Sequence, residues 1–112
     1  MENLQSAYCI KFVNEKVRLD IEKMPVSIRA RLRCLFARME IYGSNLGLPH
    51  TKQVETGLFE VRAMARDGIG RVFYCTQRER NIILLHAFVK KTQKTPLKEL
   101  LIARQRLLEI EK

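Results

Sequence analysis

Two arginines, Arg62 and Arg71, flank an Asp67-Gly68 pair in two runs that alternate like strands, Leu58 to Ala65 and Gly70 to Thr76. Alternation puts Leu58, Glu60, Arg62 and Met64 on one face of the first run and Phe59, Val61, Ala63 and Ala65 on the other. If Asp67-Gly68 is a two-residue hairpin turn, Arg62 lies opposite Phe73 and Met64 opposite Arg71. The two guanidiniums then sit diagonally on one face, roughly 7–8 Å apart at the backbone. Paired planar forks of this kind can grip the oxygens of one phosphodiester. The competing reading is that Glu60 pairs with one or both arginines as a cross-strand salt bridge.

More cations follow. The stretch HAFVKKTQKTPLK, His86 to Lys98, holds Lys90, Lys91, Lys94 and Lys98 and no acid. An even-numbered loop between the second and third runs places His86, Phe88 and Lys90 on the arginine face, whereas an odd-numbered loop turns them away. The opposite face would collect Val72, Tyr74, Ile83, Leu85, Ala87 and Val89. Lys94 precedes the last helix, whose N-terminal amides also favour an anion. Without the arginines, this run reads as solvated lysines at a strand end. Lys90 or Lys91, crowded by cations, could serve as base or acid, with His86 as the alternative because imidazole titrates near neutrality. His50 reads as structural or solvated, and Tyr74 as core.

Period and punctuation supply the elements that must hold these groups. Tyr8 to Phe12 is a short apolar start, and Asn14 to Lys23 reads as helical up to Pro25. From Pro25 to Tyr42, Ile28, Leu32, Leu35, Phe36 and Met39 form one helical stripe, with Gly43 at the exit. The arginines Arg29, Arg31, Arg33 and Arg38 spread round its other faces as solvated surface. Gly43 to Gly57 reads as a long loop, and Leu58–Ala65, Gly70–Thr76 and Ile82–Val89 as three antiparallel strands. Thr95-Pro96 opens a last helix in which Leu97, Leu100, Leu101, Leu107 and Leu108 share a face. The predicted class is α+β, a single domain over residues 1–112 with helices packed on one side of the sheet.

Composition bounds the function. The chain has 112 residues, 46% hydrophobic and 29% charged, with 21 Lys and Arg against 12 Asp and Glu and a net charge of +9. Such a length holds one core and excludes a multidomain enzyme. The excess is uneven: nine bases against six acids in residues 1–56, twelve against six in 57–112. A field of one sign attracts polyanions, although solubility alone also accounts for net charge. Cys9, Cys34 and Cys75 lie far apart, with no CxxC pair and no histidine placed to complete a zinc site. They read as reduced core thiols of a cytoplasmic protein, with no signal peptide and no membrane span expected.

NLGLPHTKQV (45–54), GLFEVR (57–62), GRVFY (70–74) and LLHAFVKKTQKTP (84–96), in that order, resemble the phage-derived branch of the RelE/HigB toxin superfamily. The resemblance runs from about Phe12 to the final helix. It implies a RelE-like fold: an antiparallel sheet, mixed at the N-terminal strand, with two N-terminal helices on one face and a C-terminal helix. It implies the toxin of a type II toxin–antitoxin pair, held inactive by a helix-turn-helix, HigA-like antitoxin. The activity implied is that of a ribosome-dependent endoribonuclease, which cuts messenger RNA by attack of its own 2′-hydroxyl, with no metal and no small-molecule cofactor. By motif position the site becomes Arg62, Arg71, Lys90, Lys91 and Lys94; His86 joins the catalytic candidates on its own chemistry, and Arg66 and Lys98 join Lys94 as RNA-binding cations. The chain departs from the family in having no Tyr after Tyr74 and in carrying Gly70, where an aromatic residue often precedes the arginine. A branch of the same fold acts on DNA gyrase, so a non-catalytic module that binds RNA, the ribosome or gyrase through the same face is the alternative.

Overall fold

The computed structural model describes residues 7–78, 80–90 and 96–111, in the order β1 (Cys9–Phe12), α1 (Glu15–Glu22), α2 (Val26–Tyr42), β2 (Thr51–Glu55), β3 (Leu58–Ala65), β4 (Gly68–Gln77), β5 (Asn81–Lys90) and α3 (Leu97–Ile110). The five strands form one sheet in the order β1-β5-β4-β3-β2. β1 runs parallel to β5 and every other neighbouring pair is antiparallel, which is the mixed sheet expected.

Local signals explain most boundaries. Asn14 caps α1 by accepting the Val17 N–H at 3.1 Å. Pro25 stands just outside α2, and its carbonyl accepts from Ile28 and Arg29. Gly43 ends α2 at φ 108°, and a Cβ there would meet the Tyr8 ring at 3.3 Å. The buried stripe of α2 is Ile28, Leu32, Leu35 and Met39, with Phe36 half-buried beside it.

Four expectations change. Part of the predicted loop before Gly57 is β2, an edge strand paired with β3. The hairpin turn is Arg66-Asp67, because Ala65 pairs with Gly68; Ser27 donates to Asp67 Oδ2 at 2.7 Å, and Gly68 takes the positive φ of 136°. The helices are not all on one side. α1 and α2 cover Val61, Ala63, Val72, Tyr74, Ile82, Leu84 and Ala87, whereas Ala103 and Leu107 of α3 pack with Leu58, Phe73, Cys75, Ile83 and Leu85 across the sheet. The stripe that α3 buries is therefore Leu100, Ala103, Leu107 and Ile110, with Leu97, Leu101 and Leu108 left exposed.

Candidate functional site

With the turn at Arg66-Asp67, Arg62 and Arg71 are direct cross-strand partners rather than a diagonal pair. The shift is by an even number of residues, so their shared face survives it. Glu60, two residues before Arg62, joins that face opposite Phe73. Arg71 Nη1 donates to Glu60 Oε2 at 2.7 Å, and Arg62 Nε lies 3.6 Å from the same oxygen. Exposure separates the three: Glu60 is 0% exposed, Arg71 1% and the Arg62 side chain 17%. Arg71, expected at the surface as half of a clamp, is instead a buried partner of Glu60. The ion pair weighed against the clamp is present, and Arg62 is the guanidinium nearer to solvent.

β5 reaches the same face by two odd steps that cancel. Gln77 pairs with Asn81, so an odd number of residues turns the chain, which alone would carry His86 away from the arginines. A bulge follows: Tyr74 pairs with Leu84 but Phe73 with His86, leaving Leu85 as the extra residue. Beyond it Arg71 pairs with Phe88 and Ile69 with Lys90, which places His86, Phe88 and Lys90 as expected. Below it Ile83 pairs with Cys75, so Ile83 and Leu85 pack under α3 and not on the side predicted.

His86 is 7% exposed. Its Nε2 lies 2.6 Å from Glu99 Oε1, and Arg106 Nη1 lies 3.4 Å from its Nδ1 while donating to the Leu85 carbonyl at 2.8 Å. A carboxylate only accepts, so these partners assign the hydrogen of neutral imidazole to Nε2. Phe88 stacks on the ring with centroids 5.7 Å apart. A cleft of about 320 Å³ opens alongside, walled by Asp20, Lys23, Pro25, Phe88 and Glu99 as well as His86. Glu99 and Arg106 escaped sequence reasoning. Their seven-residue spacing puts them on the sheet-facing side of α3 with Ala103, which is the signal that could have found them.

Arg66 and Lys98 are exposed, Arg66 at the hairpin turn and Lys98 in the first turn of α3. Lys90 is half-buried at the end of β5. The expectations for Lys91, Lys94 and the Thr95 cap fall outside the described residues. Gly70 faces away from the site, towards α2, where a Cβ would sit 2.4 Å from Ile28 Cγ2. An aromatic side chain has no room there. His50 stays below the usual imidazole range through burial, then Arg38 and Arg31; its carbonyl accepts from Arg62 N at 2.8 Å. Burial pushes the Tyr74 hydroxyl up to about 12, and it donates to the Ser44 carbonyl, so it is core as expected. Among the described residues no three His, Cys, Asp or Glu side chains gather to hold a metal. None of the described helices is long and apolar enough to cross a membrane.

The family model described as "Phage derived protein Gp49-like (DUF891)" matches residues 19–108. No curated protein gives a significant match. Among solved structures, the fold is similar to a chain of the archaeal RelE-RelB complex from Pyrococcus horikoshii OT3, with a TM-score of 0.52 and 18% identity over 79% of this chain and 99% of that one.

Proposed function

Since the chain belongs to the phage-derived Gp49-like family and has a RelE-like fold, we propose that it is the toxin of a toxin–antitoxin pair and cuts messenger RNA exposed on the ribosome. In this reading RNA supplies its own nucleophile. The 2′-hydroxyl attacks the adjacent phosphorus, a cyclic phosphate forms, and the 5′-oxygen leaves with a proton. The protein must orient these atoms, move two protons and neutralise the crowded phosphorane. Arg62 meets the developing negative charge, and Arg71 stands behind it. Lys90 or Lys91 carries a proton, with His86 as the alternative once it parts from Glu99. Arg66, Lys94 and Lys98 contact the flanking RNA backbone. A helix-turn-helix, HigA-like antitoxin covers this face and opposes its field.

The observation behind this reading is the gathering of Arg62, Arg71, His86, Phe88 and Lys90 on one face of three adjacent strands. Its test is expression of the chain without a partner, followed by mapping of breaks in translated messages. Growth arrest with discrete breaks that disappear in Arg62→Ala supports the nuclease. The burial of Arg71 against Glu60 favours a second reading, since it removes one guanidinium from the surface: a non-catalytic module that binds RNA, the ribosome or gyrase. Arrest with intact messages supports that reading and overturns the first.

A further inference from the structure

The Glu60 carboxylate lies between Arg62 and Arg71 on the basic face, and a buried ion pair is by itself weak evidence of a gain in stability. A buried ion pair is often matched or bettered by apolar residues of similar volume, because desolvating the charges offsets their attraction. Two arginines directly opposite on a sheet repel as well. Glu60 Oε2 serves both guanidiniums, yet unequally: a full hydrogen bond to Arg71 Nη1 at 2.7 Å, and a contact of 3.6 Å with Arg62 Nε that is too long for one. Glu60 Oε1 and Arg62 Nε have no hydrogen-bond partner among the described residues, although both atoms are buried. The carboxylate thus fastens one arginine and only steers the other.

Resting on the reading above, we propose that Glu60 is a positioning residue that aims Arg62 at the phosphodiester without touching it. Its charge holds Arg62 on the face beside Arg71 and leaves the end of the Arg62 fork for the ligand. Among the described residues Arg62 Nε makes no hydrogen bond that an arriving phosphodiester would have to break. Glu60 is sealed from solvent at 0% exposure, so it acts only through the arginines. Arg71 is the fixed member of the trio and Arg62 the one that changes partner.

The experiment follows the Arg62 Nε–H resonance of the full chain by nitrogen-15 NMR while a 2′-O-methyl dinucleotide monophosphate, which cannot be cleaved, is titrated in. In the unaltered protein this resonance shifts on titration. In Glu60→Gln, which keeps size and one acceptor oxygen but removes the charge, the Arg62 N–H should exchange at least tenfold faster with solvent. Dinucleotide affinity should fall at least fivefold, while the Arg71 resonance stays slow to exchange. If Glu60→Gln fails to fold, Glu60→Leu with Arg71→Met removes both ends of the buried bond together; because Arg71 is itself part of the proposed site, the readout there is the Arg62 N–H, which should again exchange at least tenfold faster. Affinity within twofold of the unaltered protein in Glu60→Gln overturns the inference, as does unchanged Arg62 N–H exchange in the variant that folds or an Arg62 resonance indifferent to the dinucleotide. Cleavage is not the readout. A protein that binds the dinucleotide in this Glu60-dependent way but leaves messages intact would sink the nuclease reading and keep this one.

Discussion

His86 and Glu99 meet at 2.6 Å, and this contact fastens the first turn of α3 to the upper half of β5. Arg106, two turns further along, reaches the Leu85 carbonyl beside the bulge. The C-terminal helix is thus anchored at the residues that border the arginine face, and its placement and that of His86 depend on each other.

Replacing Glu99 by Ala leaves a buried imidazole N–H without its acceptor, which costs about 1–3 kcal/mol. Denaturant unfolding should show a lowered midpoint with little change in slope. Glu99→Gln, which keeps an acceptor oxygen, should lose less. An unmoved midpoint in Glu99→Ala would mean that the contact contributes nothing.

Arg62 and Arg71 should separate when each is truncated. Arg71→Ala strands the buried Glu60 carboxylate and should destabilise the fold by about 3–5 kcal/mol. Arg62→Ala, at a partly exposed position, should cost about 1 kcal/mol or less yet lower message cleavage by about 100-fold or more under the proposed function. Paired melting and cleavage measurements decide; equal stability losses would contradict the burial difference.

Gly70 should tolerate no side chain while Ile28 stays. Its virtual Cβ is 2.4 Å from Ile28 Cγ2, so Gly70→Ala should destabilise by about 1–3 kcal/mol through overpacking. In a double-mutant cycle with Ile28→Ala, which removes the opposing methyl, the two losses should be less than additive. Strict additivity would place the strain elsewhere.

Thiol reactivity should divide by burial. Cys9 and Cys34, expected in the core, are exposed, whereas burial, and then Glu111, push the Cys75 thiol up to about 11. At pH 8 a polar alkylating reagent should modify Cys9 and Cys34 in the native protein and Cys75 only after unfolding, read by mass spectrometry of peptides. Rapid native labelling of Cys75 would contradict its place under α3.

The Glu55–Arg104 bridge should make stability depend on acid. Arg104 donates twice to Glu55, both at 2.9 Å, and holds this carboxyl below its ordinary value, mainly through the hydrogen bond. A carboxyl depressed in the folded state stabilises above its unfolded pKa, near 4.5, and that contribution fades as pH falls through the folded value. Melting temperatures of Glu55→Gln and the unaltered protein should differ at pH 6 and converge towards pH 3. The difference should be small because the pair is partly exposed.

What could be read in advance follows from which forces leave a trace in pattern. α1, α2 and the three long strands showed themselves because their buried residues recur at helical or strand spacing, as Ile28, Leu32, Leu35 and Met39 do. β2 did not, because TKQVE places Lys52 and Gln53 outward on a polar sheet edge. α3 misled by counting leucines, since the small Ala103 and not Leu101 faces the sheet. The shared face of Arg62 and Arg71 was legible because parity survives a two-residue slip of register. The burial of Arg71 was not, since charged side chains carry no mark of what will cover them.

The bulge at Leu85 has a bearing on how this hairpin can vary in length. It works as a phase corrector: the lower half of β5 keeps step with the turn, the upper half with the guanidiniums. Adding or deleting one residue in the turn without erasing the bulge would rotate His86, Phe88 and Lys90 as a block to the reverse side of the sheet. Length changes there are tolerable in twos, or in ones that smooth the strand at the same stroke.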